Sequence, residues 1–265
     1  MKLMSIASGS SGNCIFIGSE NTSLLVDVGI SRKKIQDGLK SIDMELKDIS
    51  GILITHEHID HTRALGVISR SYGIPIYATK DTCDYISLMK ELGEFDTSLL
   101  NPIDPDKDFI LGDIRVEAHN IWHDAVDPVC YSFYNGNRKV SVATDMGDFD
   151  DYIINGLKDS DALLVEANHD VRMLQVGPYP YNLKQRILGK RGHLSNEASG
   201  KLLSRLLNDH IKAIYLGHLS KENNYPELAY ETVKTEIADN PYTNDVRDFN
   251  LSVASRTVPE KLIEI

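Results

Sequence analysis

Ile52-Leu53-Ile54-Thr55-His56-Glu57-His58-Ile59-Asp60-His61 is the stretch on which the fold turns. Three apolar residues read as the end of a buried strand, and polar side chains follow at its C-terminal tip. His56 and His58 stand two apart, so in extended chain both imidazoles project to one side. Asp60 and His61 fall where the chain turns into a helix, and a turn there aims both back toward the first pair. Four metal-capable side chains thus converge from six residues. The competing reading is a solvated histidine-rich turn. With nine histidines in 265 residues, an HxHxDH run is rare by chance.

Two adjacent ligand sets call for more donors at the tips of later strands. His123 follows an apolar strand and precedes Asp124-Ala125-Val126-Asp127-Pro128. Asp145 follows Val140-Ser141-Val142-Ala143-Thr144, and His218 follows Ala213-Ile214-Tyr215-Leu216-Gly217. Taken singly, each reads more readily as a strand-end loop residue; beside HxHxDH they read as a joint donor set. His119, four residues upstream and also at a strand end, is the rival to His123. Imidazoles with two carboxylates suit Zn²⁺ first, and the oxygen share also admits Mn²⁺ or Fe²⁺.

Working outward, many short apolar runs alternate with helical patterns, which suggests an α/β chain with sheets inside and helices outside. Strands are expected over Met1–Ala7, Asn13–Gly18, Thr22–Val28, Ile52–Thr55, Ile74–Ala78, Ile114–His119, Cys130–Tyr134, Lys139–Ala143, Leu163–Glu166 and Ala213–Leu216. Asn135-Gly136 predicts a tight hairpin between two of them. Helices are expected over Arg32–Ser41, Asp60–Ser71 (stopped by Gly73), Asp81–Leu92, Ser195–Leu207 and Glu227–Ile237, with Ser195 able to cap its helix. No linker or repeat divides the chain, so a single domain over 1–265 is expected. No apolar run approaches the ~18 residues of a membrane span, and the N-terminus shows no secretory signal. Three scattered cysteines without CxxC fit a reducing cytoplasm. A net charge of −11 argues against wrapping nucleic acid through bulk positive charge, so a phosphate-bearing substrate needs bound cations or a local basic patch.

HxHxDH, the lone His, the Asp and the final His, preceded by Leu24-Leu25-Val26-Asp27-Val28-Gly29, arrive in an order that resembles the metallo-β-lactamase fold superfamily over nearly the whole length. The resemblance implies a four-layer αββα sandwich with two divalent metal ions at one edge. It implies that His56, His58 and His123 hold one ion, that Asp60, His61 and His218 hold the other, and that Asp145 bridges them. Asp27 would orient the ligand loop by hydrogen bonds. Ser8-Gly9-Ser10-Ser11-Gly12-Asn13, Val165-Glu166-Ala167-Asn168-His169-Asp170, Gly192-His193-Leu194-Ser195-Asn196 and Leu216-Gly217-His218-Leu219-Ser220 are similar to the WalJ/YycJ group. That group implies a cytoplasmic nuclease, a 5′ to 3′ exonuclease on DNA, with RNA the alternative.

Two cations ~3.5–4 Å apart can hold a hydroxide at neutral pH and neutralise charge on a phosphoryl oxygen. The leaving alkoxide still needs a proton, and His193, free of the ligand set, is the candidate donor, with Asp60 the other candidate catalytic residue. A helix-cap histidine packed on Leu194 is the bland reading of His193. Lys184-Gln185-Arg186-Ile187-Leu188-Gly189-Lys190-Arg191 is basic without an acid. It reads as a solvated basic loop or as an anchor for a single-stranded end, through Lys190 and Arg191. The helix start at Ser195 and the loop holding Ser10, Ser11 and Asn13 could add backbone N–H donors for phosphate. Asn168 joins this substrate-side set. His169 reads as lining the substrate mouth or as a surface-loop residue, and His210 as a helix-end residue. Trp122, Tyr179 and Tyr181 read as base-stacking or as packing. The same donor set also suits a small-molecule hydrolase acting on a thioester, lactone or cyclic phosphodiester, and the basic stretch favours phosphate.

Overall fold

The computed structural model of the chain describes residues 1–242 and 249–265. One sheet joins Lys2–Ala7 (β1), Cys14–Gly18 (β2), Ser23–Val26 (β3), Gly51–Leu53 (β4), Ile76–Thr79 (β5) and Leu100–Ile103 (β6). The other joins Phe109–Leu111 (β7), Ile114–Asn120 (β8), Val129–Asn135 (β9), Arg138–Ala143 (β10), Ala162–Glu166 (β11), Ala213–Gly217 (β12) and Asn250–Val253 (β13). Ile263–Glu264 (β14) returns to the first sheet beside β1. Both sheets follow one plan. Antiparallel strands come first, and parallel pairing begins at β3 in one sheet and at β10 in the other.

Period-two alternation sorts side chains into layers. Leu24 and Val26 face a core shared by both sheets, whereas Leu25 faces the helices Arg32–Lys40 (α1), Leu65–Tyr72 (α3) and Lys80–Leu88 (α4). Ile59–Thr62 (α2) is a single turn that precedes α3. In β11, Leu164 enters the shared core. Leu163 and Val165 meet Asp151–Leu157 (α5), Asn196–Leu206 (α8) and Pro226–Ile237 (α9). Val171–Val176 (α6) and Tyr181–Leu188 (α7) lie between β11 and α8. Helix, sheet, sheet and helix make four layers, as expected. Among the described residues no helix is long and apolar enough to cross a membrane.

The local differences have physical causes. The helix expected over Asp60–Ser71 is two helices, because Ala64 N donates to Val28 O at 2.9 Å instead of continuing the helical ladder. Gly73 does end α3, with φ 63° in the left-handed region. The hairpin turn is shifted by one residue: Asn135 pairs with Arg138, and Gly136, at φ 59°, opens the two-residue loop. The helix expected to reach Leu92 leaves α-geometry at Met89 and finishes as a separate 3₁₀ turn over Lys90–Leu92. Ser195 caps α8 by accepting from Ala198 N.

Candidate metal centre

Strand tips deliver every candidate donor. The chain leaves β4 at Leu53 and turns through His56, His58, Asp60 and His61 into α2. His123 follows β8, Asp145 follows β10, Glu166 ends β11 and His218 follows β12. Asp27, Asp145 and His218 leave their strands with φ of 60°, 60° and 54°, left-handed values that non-glycine residues adopt at a cost of roughly 1–3 kcal/mol. Their surroundings hold them there: Asp27 N donates to Leu53 O, and His218 N to Ser8 Oγ, both at 2.8 Å.

Two lobes result. In one, His58 Nδ1 lies 3.0 Å from His56 Nε2 and 3.3 Å from His123 Nε2. In the other, Asp60 Oδ2 lies 3.5 Å from His218 Nε2 and 3.7 Å from His61 Nε2. Asp145 stands between, with Oδ2 3.1 Å from His61 Nε2 and Oδ1 3.4 Å from His218 Nε2 and 3.9 Å from His123 Nε2. His56, His61, His123, His218 and Asp145 are buried.

This donor set fits divalent cations. Ring nitrogens of His56, His58 and His123 face one another, and His123 Nδ1 donates to Gly192 O at 3.0 Å, so the neutral ring keeps its Nε2 lone pair for the cluster. Asp145 Oδ2 is buried, and His61 Nε2 at 3.1 Å is its one close polar neighbour among the described residues. Burial, with His61 nearby, lowers His56 well below the usual histidine range, and burial lowers His123, so both offer neutral lone pairs. Burial opposes charge on His61 and His218 too, but carboxylates win. Asp27, Asp145 and Asp60 raise His61 well above its ordinary value, and Asp145, Asp60 and Glu166 raise His218 to about 10. Burial resists ionisation of Asp60 as well, yet His61 and His218 hold it at about 2.

Around the donors stand their holders. Asp27 accepts from Thr55 N at 2.9 Å and meets His61 Nδ1 at 2.7 Å, which leaves His61 Nε2 facing the cluster. Gly29 has no room for a side chain, since a Cβ there would lie 1.6 Å from Asp60 O. Glu166 is a functional candidate that the sequence reading quoted without assigning. It is fully buried, accepts from Met146 N at 2.7 Å, and meets His193 Nδ1 at 2.7 Å and His218 Nδ1 at 3.1 Å. An acid ending an apolar run, the same signal as Asp145, could have found it. His193 is partly exposed, stacks on His218 at 5.3 Å between centroids and lies 5.1 Å from His123.

Of the other candidates, Asn13 and Asn168 reach the donors, with Nδ2 3.2 Å from His61 Nε2 and 3.3 Å from His218 Nδ1 respectively. His119 packs against Gly156, near Glu117 and Asp106, apart from the donor cluster. Side chains of three substrate-side candidates are committed within the protein. Asn13 Oδ1 accepts from Gly9 N at 2.9 Å, Asn168 Nδ2 donates to His218 O at 2.9 Å, and Ser195 Oγ caps α8. Ser10 and Ser11 are exposed. The basic stretch is not one loop: residues 184–188 belong to α7, and Arg186 pairs with Asp124 through both Nε and Nη2. Lys190 Nζ lies 3.8 Å from Asp148, and Arg191 is exposed. His169 is buried rather than on a surface loop, and burial lowers it to about 4. Trp122 and Tyr181 are exposed, Tyr179 is half-buried, and His210 contacts Asp209 just beyond α8.

Two sheets flanked by helices, with histidines and aspartates gathered at one edge, define a class of metal-dependent hydrolase. The family model for the metallo-beta-lactamase superfamily matches residues 7–218, and the chain belongs to that superfamily. It is 42% identical over 233 residues to the exodeoxyribonuclease WalJ of Streptococcus pneumoniae, covering 88% of this chain and 87% of that protein. It is 39% identical over 234 residues to the exodeoxyribonuclease YycJ of Bacillus anthracis, covering 88% of each. Among solved structures, the metallo-beta-lactamase fold protein YhfI from Bacillus subtilis superposes with a TM-score of 0.72 at 16% identity over 98% of both chains. Human tRNase Z, short form, superposes with a TM-score of 0.67 at 16% identity over all of both chains. At that identity the two structures share the fold.

Proposed function

We propose that this chain is a dinuclear-metal-dependent phosphodiesterase, a cytoplasmic exonuclease that degrades DNA from a single-stranded 5′ end, acting as one domain over its whole length. The observation that carries this reading is His193, fixed 2.7 Å from Glu166 Oε1 and stacked on His218 beside the donor cluster. It supplies a proton carrier at a metal centre whose relatives are named exodeoxyribonucleases. His56, His58 and His123 would hold one cation, Asp60, His61 and His218 the other, with Asp145 shared. The imidazole-rich set favours Zn²⁺, with Mn²⁺ or Fe²⁺ accepted. Such cations, when bound, polarise a phosphoryl oxygen and activate water.

The chain's own groups do the rest. Glu166 takes the Nδ1 side of His193, so Nε2 is left to carry a proton to the leaving oxygen. Asp60, ionised at neutral pH, faces the centre from the His61 and His218 side. Lys190 and Arg191 would anchor the strand. In the exposed Ser10–Ser11 turn Ser10 N donates to Leu219 O at 3.4 Å, so Ser11 N and the two hydroxyls would meet phosphate, and Asn13, Asn168 and Ser195 act through the backbone they fix. Digestion of 5′- and 3′-end-labelled DNA and RNA, resolved on gels with Zn²⁺, Mn²⁺ or EDTA, tests the reading. Metal-dependent release of mononucleotides from the 5′ end of DNA is expected. Inactivity on every nucleic acid, or a rate unaffected by EDTA, would overturn it.

A further inference from the structure

A cleft of about 780 Å³ opens directly beside the metal centre, with His58 and Asp124 in its wall. That size falls within the range of about 300–1,000 Å³ for clefts that take small ligands. Its apolar wall is unusual for a surface. Tyr85 and Leu88, three residues apart on α4 and therefore on one helix face, are 49% and 80% exposed, and Ile59, which opens α2 next to Asp60, is 40% exposed. The acidic side chains of the wall beyond Asp124 are Glu57 and Glu91, and among the described residues no lysine or arginine lines it. Glu57 is spent on the fold, accepting from Val126 N at 3.0 Å.

An apolar wall with acidic edges repels phosphate and suits an uncharged, flat ring. Cations held by the donor cluster would bind the phosphodiester at the His58 end of the cleft. We infer that this cleft is a nucleobase subsite: the base flanking the scissile phosphodiester stacks on Tyr85 and packs against Leu88 and Ile59. This assignment rests on the phosphodiesterase reading above and adds to it the residues that grip a base. Stacking accepts any base, so the subsite serves degradation without sequence preference.

The test compares wild-type protein with Tyr85→Ala, Tyr85→Phe and Leu88→Ser on single-stranded DNA. One set of oligonucleotides is intact and the other carries an abasic residue beside the cut. All three variants change the exposed side chains of Tyr85 and Leu88 and leave the fold in place, and metal content is measured for each. Wild-type protein is expected to cut the abasic strand about tenfold more slowly, mainly through KM. Tyr85→Ala should lose about the same factor on intact DNA and show no further abasic penalty, while Tyr85→Phe behaves as wild type. An abasic penalty equal in Tyr85→Ala and wild type, or unchanged rates in Tyr85→Ala and Leu88→Ser, overturns the subsite and leaves the nuclease reading standing. Failure of the wild-type protein to cut any strand removes both.

Discussion

Oε1 of Glu166 stands 2.7 Å from Nδ1 of His193 and 3.1 Å from Nδ1 of His218, so one buried carboxylate oxygen orients both a candidate ligand and a candidate proton donor. Each imidazole is thereby fixed with Nε2 directed away from the carboxylate. Binding and proton transfer are tied to a single side chain at the end of β11.

Replacing His193 by alanine should therefore separate the two tasks. We expect kcat to fall about 10²–10⁴-fold while metal content stays at the wild-type level. Glu166→Gln should lower both, because it loosens His218 as well. Steady-state rates paired with metal analysis of the purified variants decide this, and a His193→Ala protein that loses its metal would refute the assignment.

Asp27 meets the donor cluster through His61 Nδ1 and sets which nitrogen of that ring faces the centre. Asp27→Asn should weaken metal affinity by about 10–100-fold, the usual effect of removing a partner behind a ligand. Competition against a chromophoric chelator reads this directly. Equal affinity in variant and wild type would show that the Thr55 contacts suffice.

The protonation of the metal-free centre gives a pH signature. His218, raised to about 10 by Asp145, Asp60 and Glu166 against the pull of burial, carries a proton at pH 8. Its folded-state value lies above that of the unfolded chain, about 6.5. Its contribution to stability is therefore complete below pH ~6.5 and disappears as pH rises through about 10. Titrating metal into the apoprotein at pH 8 in weak buffer should release protons, and His218→Ala should release fewer. Release confined to pH values below 7 would contradict the carboxylate network.

Gly29 and Gly73 make a paired test of backbone contact. A methyl group at Gly29 would collide with Asp60 O, whereas at Gly73 it would meet nothing within 4 Å. Gly29→Ala should cost about 1–3 kcal/mol and weaken metal binding, since the turn bearing Asp60 must move. Gly73→Ala should carry only the strain of its left-handed φ and leave metal affinity unchanged. Denaturant melts and metal titration of the two variants separate these effects.

The four-layer architecture and the donor cluster were legible because each donor ends an apolar run that is visible in one dimension, from Ile52-Leu53-Ile54 before His56 to Ala213–Gly217 before His218. Glu166 ends such a run too and escaped assignment, because its partners His193 and His218 lie far along the chain. Edge strands were harder. β6 contains Pro102, which only an edge or bulge tolerates, and β7 is half-exposed, so neither shows a buried alternation. The short helices α5, α6 and α7 carry too few turns for a period of 3.6 to stand out. The basic run around Arg186 misled for a different reason. Its neutralising acid, Asp124, lies 62 residues away, and no local pattern announces a pairing of that range.

Because the donors come from tips of both sheets, a bound cation is also a rivet across the seam of the sandwich. Prying one half of the molecule away from the other would have to tear His218 and Asp145 from His56, His58 and His61. The loaded protein should then come apart in one step, and the stripped protein should be free to let either half loosen first.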